Sequence, residues 1–266
     1  MQSQIKTNQI CNQLKIMKTE IIRTENLFKN YLTGKTEVPV LKDLNLKFYE
    51  GEFSVIMGNS GSGKSTLLYL LSGLDGITSG GIWINDEPIH EKTEKSLALF
   101  RRKNIGFVFQ DHNLIPNLSL LENILVAGYL STKSRSIIYQ RALGLLKELE
   151  IDSYADRLPS QVSGGERQRC AIARSLINSP ALLFADEPTG NLNSASSIKA
   201  LECFKNLNTR GQTVIMVTHD LKTACTGDRI LFFRDGQVID TFYFERGEDL
   251  TGREAALFSW LKERGW

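Results

Sequence analysis

The sequence predicts an α/β fold built on a buried parallel sheet, joined by an antiparallel β subdomain and interrupted by a helical insertion. Three observations carry that prediction: four short apolar runs, a helix-rich stretch between the first and second of them, and two weaker segments in which apolar and polar residues alternate. The runs are FSVIM (53–57), ALLFA (181–185), TVIMVT (213–218) and RILFF (229–233), each ending in small or charged residues. Strands covered on both faces have this appearance.

In chain order, the first 16 residues, MQSQIKTNQICNQLKI, are polar and show no usable periodicity. They lack the apolar stretch of a secretory signal, and translation from Met17 is the simple expectation, with a partner-binding arm as the alternative. From Met17, the segment MKTEIIRTENLFKNY alternates in strand fashion, so folded structure is expected near Glu20. LKDLNLKFYE (41–50) and GIWIND (81–86) read as antiparallel strands flanking FSVIM. From about residue 96 to 179 the chain is helix-rich: Ile138, Ala142, Leu145, Leu146 and Leu149 recur at helical spacing, and Pro180 stops the last helix. Near the end, Thr251 and Glu254 have capping-box spacing ahead of Leu257, Trp260 and Leu261, which predicts a terminal helix. Docking on the body is expected for it, a partner contact being the alternative because Trp260 and Trp266 lie within the last seven residues. The expected organisation is an extension (1–19), a main domain (20–245) and a helical tail (246–266), without internal repeats or heptads.

Composition narrows the class. The 266 residues include 32 Lys plus Arg against 30 Asp plus Glu, a net charge of +2, so the basic field that drives non-specific nucleic-acid binding is missing and no nucleic-acid partner is expected. With 41% hydrophobic residues the chain can bury a large core. No apolar run approaches the roughly 20 residues that cross a bilayer as a helix, and a cytoplasmic location is expected. Cys11, Cys170, Cys203 and Cys225 are scattered without CxxC spacing and read as reduced thiols.

The chemistry begins after FSVIM, in Gly58, Asn59, Ser60, Gly61, Ser62, Gly63, Lys64, Ser65 and Thr66. Gly58, four residues, then Gly63, Lys64 and Ser65 form the phosphate-loop pattern: glycines let the backbone wrap an anion, and successive N–H groups and a helix N-terminus face it. Lys64 would reach the β- and γ-phosphates and Ser65 would ligate Mg²⁺. A nucleoside triphosphate site follows; an accidental match is expected in on the order of one chain in a hundred of this length. ALLFADEP then delivers Asp186 and Glu187 at the C-terminal end of a buried strand, where ligands sit in open α/β sheets. Asp186 can hold Mg²⁺, directly or through water, and Glu187 can orient and polarise a water for attack on the γ-phosphoryl group; an acidic strand end capping the turn at Pro188 is the structural alternative. In VSGGERQRCAIARSL, Ser163 and Glu166 have capping-box spacing, while Gly164 and Gly165 expose N–H groups at a helix start. These residues alone leave open whether this is a second anion-binding surface or a well-capped helix.

SGGERQR resembles the distinctive motif of the ABC-type ATPases, and the resemblance runs through essentially residues 20–245 in the family's order. It implies a P-loop NTPase core with an antiparallel β subdomain and a helical insertion, the ABC ATPase fold, with ATP and Mg²⁺ as cofactors. It also implies a head-to-tail pair of ATPase domains, a homodimer or a pair with a homologue, in which Ser163 and Gly165 contact the γ-phosphate held by the opposite subunit. Gln110 in GFVFQDHNLIP matches the family's glutamine that touches Mg²⁺ and the attacking water; His219 in VTHD matches the switch histidine at the γ-phosphate. Tyr31 matches the aromatic that stacks on adenine, an ordinary strand tyrosine being the alternative, and His90 and His112 read as structural. Two departures stand out: Val162 replaces the usual Leu, and the segment GNLN places Asn193 where the family commonly has Asp, which keeps hydrogen-bonding capacity without charge. Hydrolysis is still expected, with altered communication between the two ATP sites.

The runs EGEFSVIMGNSGSGKSTLLYLLSGLDGITSG, FRRKNIGFVFQ, ADEPTGNLN and VTHD resemble the subgroup that serves lipoprotein release, macrolide export and bacteriocin or peptide-antibiotic resistance. That likeness implies a separately encoded integral membrane permease, with this chain peripheral on the cytoplasmic face of the cell membrane. Arg101, Arg102 and Lys103 read as a solvated face, proximity to lipid headgroups being the alternative. Two other functions stay in view: a non-transport ABC ATPase, and a regulatory module that binds ATP with low turnover.

Overall fold

In the computed structural model, which describes residues 19–131, 134–244 and 249–266, the four apolar runs lie side by side in one sheet. Along the chain, β1 (Glu20–Thr33), β2 (Thr36–Leu44) and β3 (Lys47–Tyr49) precede β4 (Phe53–Met57), which leads into helix α1 (Lys64–Leu71). Then come β5 (Ser79–Ile84), β6 (Glu87–Pro88), α2 (Glu94–Asn104) and β7 (Ile105–Val108). The helices α3 (Leu120–Tyr129), α4 (Arg135–Glu148) and α5 (Gly164–Leu176) are followed by β8 (Leu182–Asp186), α6 (Ser194–Thr209) and β9 (Thr213–Thr218). Last are α7 (Leu221–Ala224), β10 (Arg229–Arg234), β11 (Gln237–Tyr243) and α8 (Leu250–Glu263).

The main sheet has the order β11-β10-β4-β9-β8-β7, parallel throughout except for β11 at one edge. Every residue of β4, β8 and β9 is buried, which explains why these strands carry no polar face. Successive side chains point to opposite faces. Val55, Met57, Leu183, Ala185 and Met216 pack into the layer formed with α3, α4 and α5, whereas Ile56, Phe184, Ile215 and Val217 face α1 and the second sheet. That second sheet is antiparallel, in the order β2-β1-β5-β6, with β3 also paired to β1.

Three sequence expectations are corrected. Segments 41–50 and 81–86 do not flank β4; they pair with β1, because both edges of β4 are occupied by β9 and β10. The helix-rich stretch 96–179 contains β7, a four-residue strand on β8 where Gly106 permits close packing, since a methyl there would sit 2.6 Å from the Ser175 carbonyl oxygen. The terminal helix starts earlier than the Thr251–Glu254 spacing suggests: Asp249 is its cap, accepting from the Gly252 N–H at 2.8 Å. Leu257 and Leu261 of that helix are fully buried, and Trp260 meets Phe232 and Phe242 with ring centroids 6.2 and 5.3 Å away, so the helix docks on β10 and β11. The reading of residues 1–16, with Cys11, and the boundary at 245/246 lie outside the described residues. Among those described, no helix is long and apolar enough to cross a membrane.

Candidate functional site

The loop from Gly58 to Thr66 leaves the end of β4 and turns into α1 under tight steric control. A methyl on Gly58 would lie 2.0 Å from the Phe233 carbonyl oxygen, so only glycine fits against β10. Gly61 and Gly63 have φ of +77° and +102°, the left-handed region that favours glycine, and Gly63 also meets Leu41 and Val40 of β2. The Gly236 N–H donates to the Ser62 carbonyl (3.1 Å) and the Lys42 N–H to the Gly236 carbonyl (3.0 Å), so β2 and the β10–β11 turn hold the loop from outside. Among the described residues no side chain caps α1, which leaves its first-turn amides to an anion. Among the described residues the Ser62 hydroxyl is buried without a hydrogen-bond partner, and the Lys64 ammonium, itself largely buried, donates to the Asn59 carbonyl at 2.7 Å. Burial pushes the Lys64 pKa down, against the opposing pull of the Glu187 and Asp186 carboxylates. Unpaired donors around a glycine cradle fit a polyphosphate. Gly58→Ala is therefore expected to cost at least about 1–3 kcal/mol of overpacking and to abolish detectable ATP binding. Thermal unfolding and nucleotide titration of the variant check it.

The carboxylates arrive from β8. Asp186 Oδ1 accepts from the Ser65 hydroxyl at 2.9 Å. Tyr69, one helical turn beyond Ser65, stands beside Asp186; burial, then that carboxylate's charge, push its phenol up to about 12. Glu187 sits in left-handed backbone (φ +45°), where its N–H donates to the Val217 carbonyl at 3.0 Å. Such a conformation is uncommon outside glycine and clusters at functional sites. Its carboxylate oxygen Oε1 lies 2.7 Å from Nδ1 of His219, an exposed side chain reaching a largely buried one. Lys64, Ser65, Asp186, Glu187 and His219 thus gather at the C-terminal ends of β4, β8 and β9, where ligand crevices of parallel sheets lie. Gln110, just beyond β7, lies beside the same region: a methyl on Gly190 would come within 3.3 Å of its Nε2.

The SGG segment is built as its spacing predicts. Ser163 Oγ accepts from the Glu166 N–H (3.4 Å) and Glu166 returns a bond to the Ser163 N–H (2.6 Å). Yet Gly164 and Gly165 face residues 191–196 of their own chain, with a methyl on Gly165 falling 2.7 Å from Ser196 Oγ. Among the described residues, no hydrogen bond joins this segment to the phosphate loop. Asn193 caps α6, its Oδ1 accepting from the Ser196 N–H at 2.9 Å.

His90 is structural, with its ring nitrogen against the Ile82 backbone and its ring edge on Trp83. His112 is buried, and its carbonyl, with that of Asn113, accepts from Arg174 of α5. Sequence reasoning missed Tyr69, although a position four after Ser65 on one helix face was a usable signal. It also missed the Asp111–Asn191 bond (2.9 Å), and Lys29 and Asp75 beside Tyr31, which no local pattern announces.

Residues 41–190 match the family model described as ABC transporter. The ABC transporter ATP-binding protein MJ0796 of Methanocaldococcus jannaschii is 43% identical over 237 residues, 87% of this chain and 98% of that protein. The lipoprotein-releasing system ATP-binding protein LolD of Aquifex aeolicus is 44% identical over 220 residues, 83% of this chain and 96% of that protein. The macrolide export ATP-binding/permease protein MacB of Syntrophobacter fumaroxidans is 43% identical over 225 residues, 82% of this chain but 31% of that longer protein. Among solved structures, the dimeric post-hydrolysis state of the ATP-binding cassette MJ0796, bound to ADP and Pi, has a TM-score of 0.79 and 40% identity, covering 85% of this chain and 99% of that one.

Proposed function

Because the chain belongs to the ABC transporter family, as an ATP-binding protein, we propose that it is an ATP-hydrolysing subunit that powers a separately encoded membrane permease. The observation that carries this reading is the convergence, at one end of one sheet, of the buried phosphate loop, the Ser65–Asp186 pair and the Glu187–His219 pair.

Each residue then has a task. The backbone from Gly58 to Thr66 wraps the phosphates, and Lys64 moves from the Asn59 carbonyl onto the β- and γ-phosphate oxygens. Tyr31 stacks on the adenine. Ser65, Asp186 and Gln110 would supply the hard oxygen ligands that suit Mg²⁺, which when bound would neutralise charge on the transferring phosphoryl group. Glu187 orients and polarises the attacking water, while His219 holds the carboxylate and lies within reach of the γ-phosphate. Ser163, Gly164 and Gly165 present a helix N-terminus to the nucleotide on a second copy of the chain; that they make no hydrogen bond to the chain's own phosphate loop among the described residues supports that arrangement, as does the dimer of the MJ0796 cassette. The LolD and MacB relatives favour an export, extraction or mechanotransmission permease, with this chain peripheral on the cytoplasmic face of the membrane. The near-neutral charge argues against nucleic acid as a partner.

Purification from detergent extracts tests the coupling. An integral membrane protein is expected to co-purify and to raise the rate of phosphate release; recovery with ribosomes or DNA alone would favour a non-transport ATPase. Asn193 separates the remaining alternative. Asn and Asp cap helices about equally, so Asn193→Asp is expected to change stability by less than about 0.5 kcal/mol, and the wild-type chain is expected to turn over ATP steadily. A wild-type chain that binds ATP but releases phosphate only after Asn193→Asp would instead be a regulatory module.

A further inference from the structure

Tyr31 is held at two points. Its hydroxyl donates to Asp75 Oδ2 at 2.7 Å, and the Lys29 ammonium stands over one face of its ring, 4.6 Å from the centroid. Lys29 is buried, at 8% exposure, and donates to the other Asp75 oxygen (2.9 Å) and to the Gly76 carbonyl (2.6 Å). Tyr31 itself is 40% exposed, so part of its side chain is free to meet a ligand. The ring also has a fixed position relative to the phosphate loop. Tyr31 pairs with Val38 across the β1–β2 hairpin, and Val40 and Leu41 of β2 press on Gly63. Its hydroxyl is within reach of the Thr66 side chain at the start of α1.

A tyrosine that merely filled a strand would not need a buried cation against its face, since burying an ammonium is costly unless it is paired. Asp75 meets that need and fixes both partners at once. A cation on one face draws π density toward itself. Stacked rings repel through their negative faces, so the opposite face becomes a better platform for the π system of a base.

We propose that Lys29 and Asp75 are positioning residues for the nucleotide base, holding Tyr31 with one face capped by a cation and the other presented to a purine. The inference rests on the reading of Tyr31 as the base-stacking residue, and it adds what makes that ring rigid and receptive.

The test is calorimetric titration of the full-length chain with ATP and, separately, with inorganic tripolyphosphate, which occupies the phosphate loop and has no base. Lys29→Met and Asp75→Asn are each expected to weaken ATP binding about three- to tenfold and to leave tripolyphosphate binding unchanged. Lys29→Arg is expected to restore ATP affinity, since a guanidinium also caps a ring face. Equal weakening of both ligands by Lys29→Met would mean that the pair only supports the loop, and would overturn the proposal. An unchanged ATP affinity in Lys29→Met, with a loss in Tyr31→Ala, would overturn it too while leaving the stacking role of Tyr31 standing. If Tyr31→Ala changes nothing, that role fails and the proposal with it. Should Lys29→Met not fold, Asp75→Asn decides by the same comparison, because Asp75 is partly exposed and an amide oxygen still accepts a hydrogen bond there.

Discussion

Glu187→Gln lowers steady-state phosphate release by about 10²–10⁴-fold, the range for losing a positioned general base, and leaves ATP affinity close to the wild-type value. The amide keeps the size and the contact with His219 but cannot take a proton from water. Because Glu187 has no hydrogen bond to the phosphate loop among the described residues, its contribution belongs to the reaction and not to nucleotide capture. ATP that binds without being consumed also holds two copies together, so the variant is expected to shift to a stable dimer on adding Mg-ATP. Size-exclusion chromatography with and without nucleotide, beside a phosphate-release assay, reads both effects. Unchanged turnover would remove Glu187 from its assigned role.

Lys64→Ala produces the opposite signature, a loss at the binding step. In the proposed role its ammonium would bond phosphate oxygens, and losing even one such charge-assisted bond costs about 1.5–3 kcal/mol, so ATP affinity is expected to fall at least roughly ten- to a hundredfold. The burial that lowers its pKa also weakens its competition from bulk water, so the site relies on this charge more than an exposed lysine would allow. Tripolyphosphate binding should fall in parallel, because the lost contacts involve no base. Fluorescence or calorimetric titration measures it, and an unaltered affinity would count against the role.

How much of this was legible in the sequence depended on how local each feature is. Strands such as β4 and β9 were readable because both faces are buried and five or six consecutive apolar residues leave little else for them to be. β7 was not readable, since its four residues lie between helices and acquire strand character only from pairing with β8. The pairing of β3 and β5 with β1 depended on which sheet edges were free, a property of the assembled core. The same division holds for the site. The phosphate loop, Asp186 with Glu187, and the SGG cap are each contiguous in sequence, so their spacing reports their local geometry directly. The contact of Tyr31 with Asp75 spans 44 residues and exists only because the β1–β2 hairpin lies beside the end of α1. The helix cap at Asp249 shows a milder limit: Asp249 and Thr251 both suit an N-cap, and only the backbone geometry selects one.

The central claim is that each ATP site is completed by the SGG segment of a second copy, and mixing two inactive chains tests it most directly. One carries Lys64→Ala and keeps a normal SGG segment; the other carries Ser163→Arg and keeps a normal phosphate loop. Alone, each is expected to release almost no phosphate, because every site in either homodimer is damaged. Mixed in equal amounts, half of the dimers pair one chain with the other, and each such dimer holds one intact composite site, so activity is expected to return to about a quarter of wild type. A mixture as inactive as its components, or full activity in the Ser163→Arg chain alone, would contradict the account.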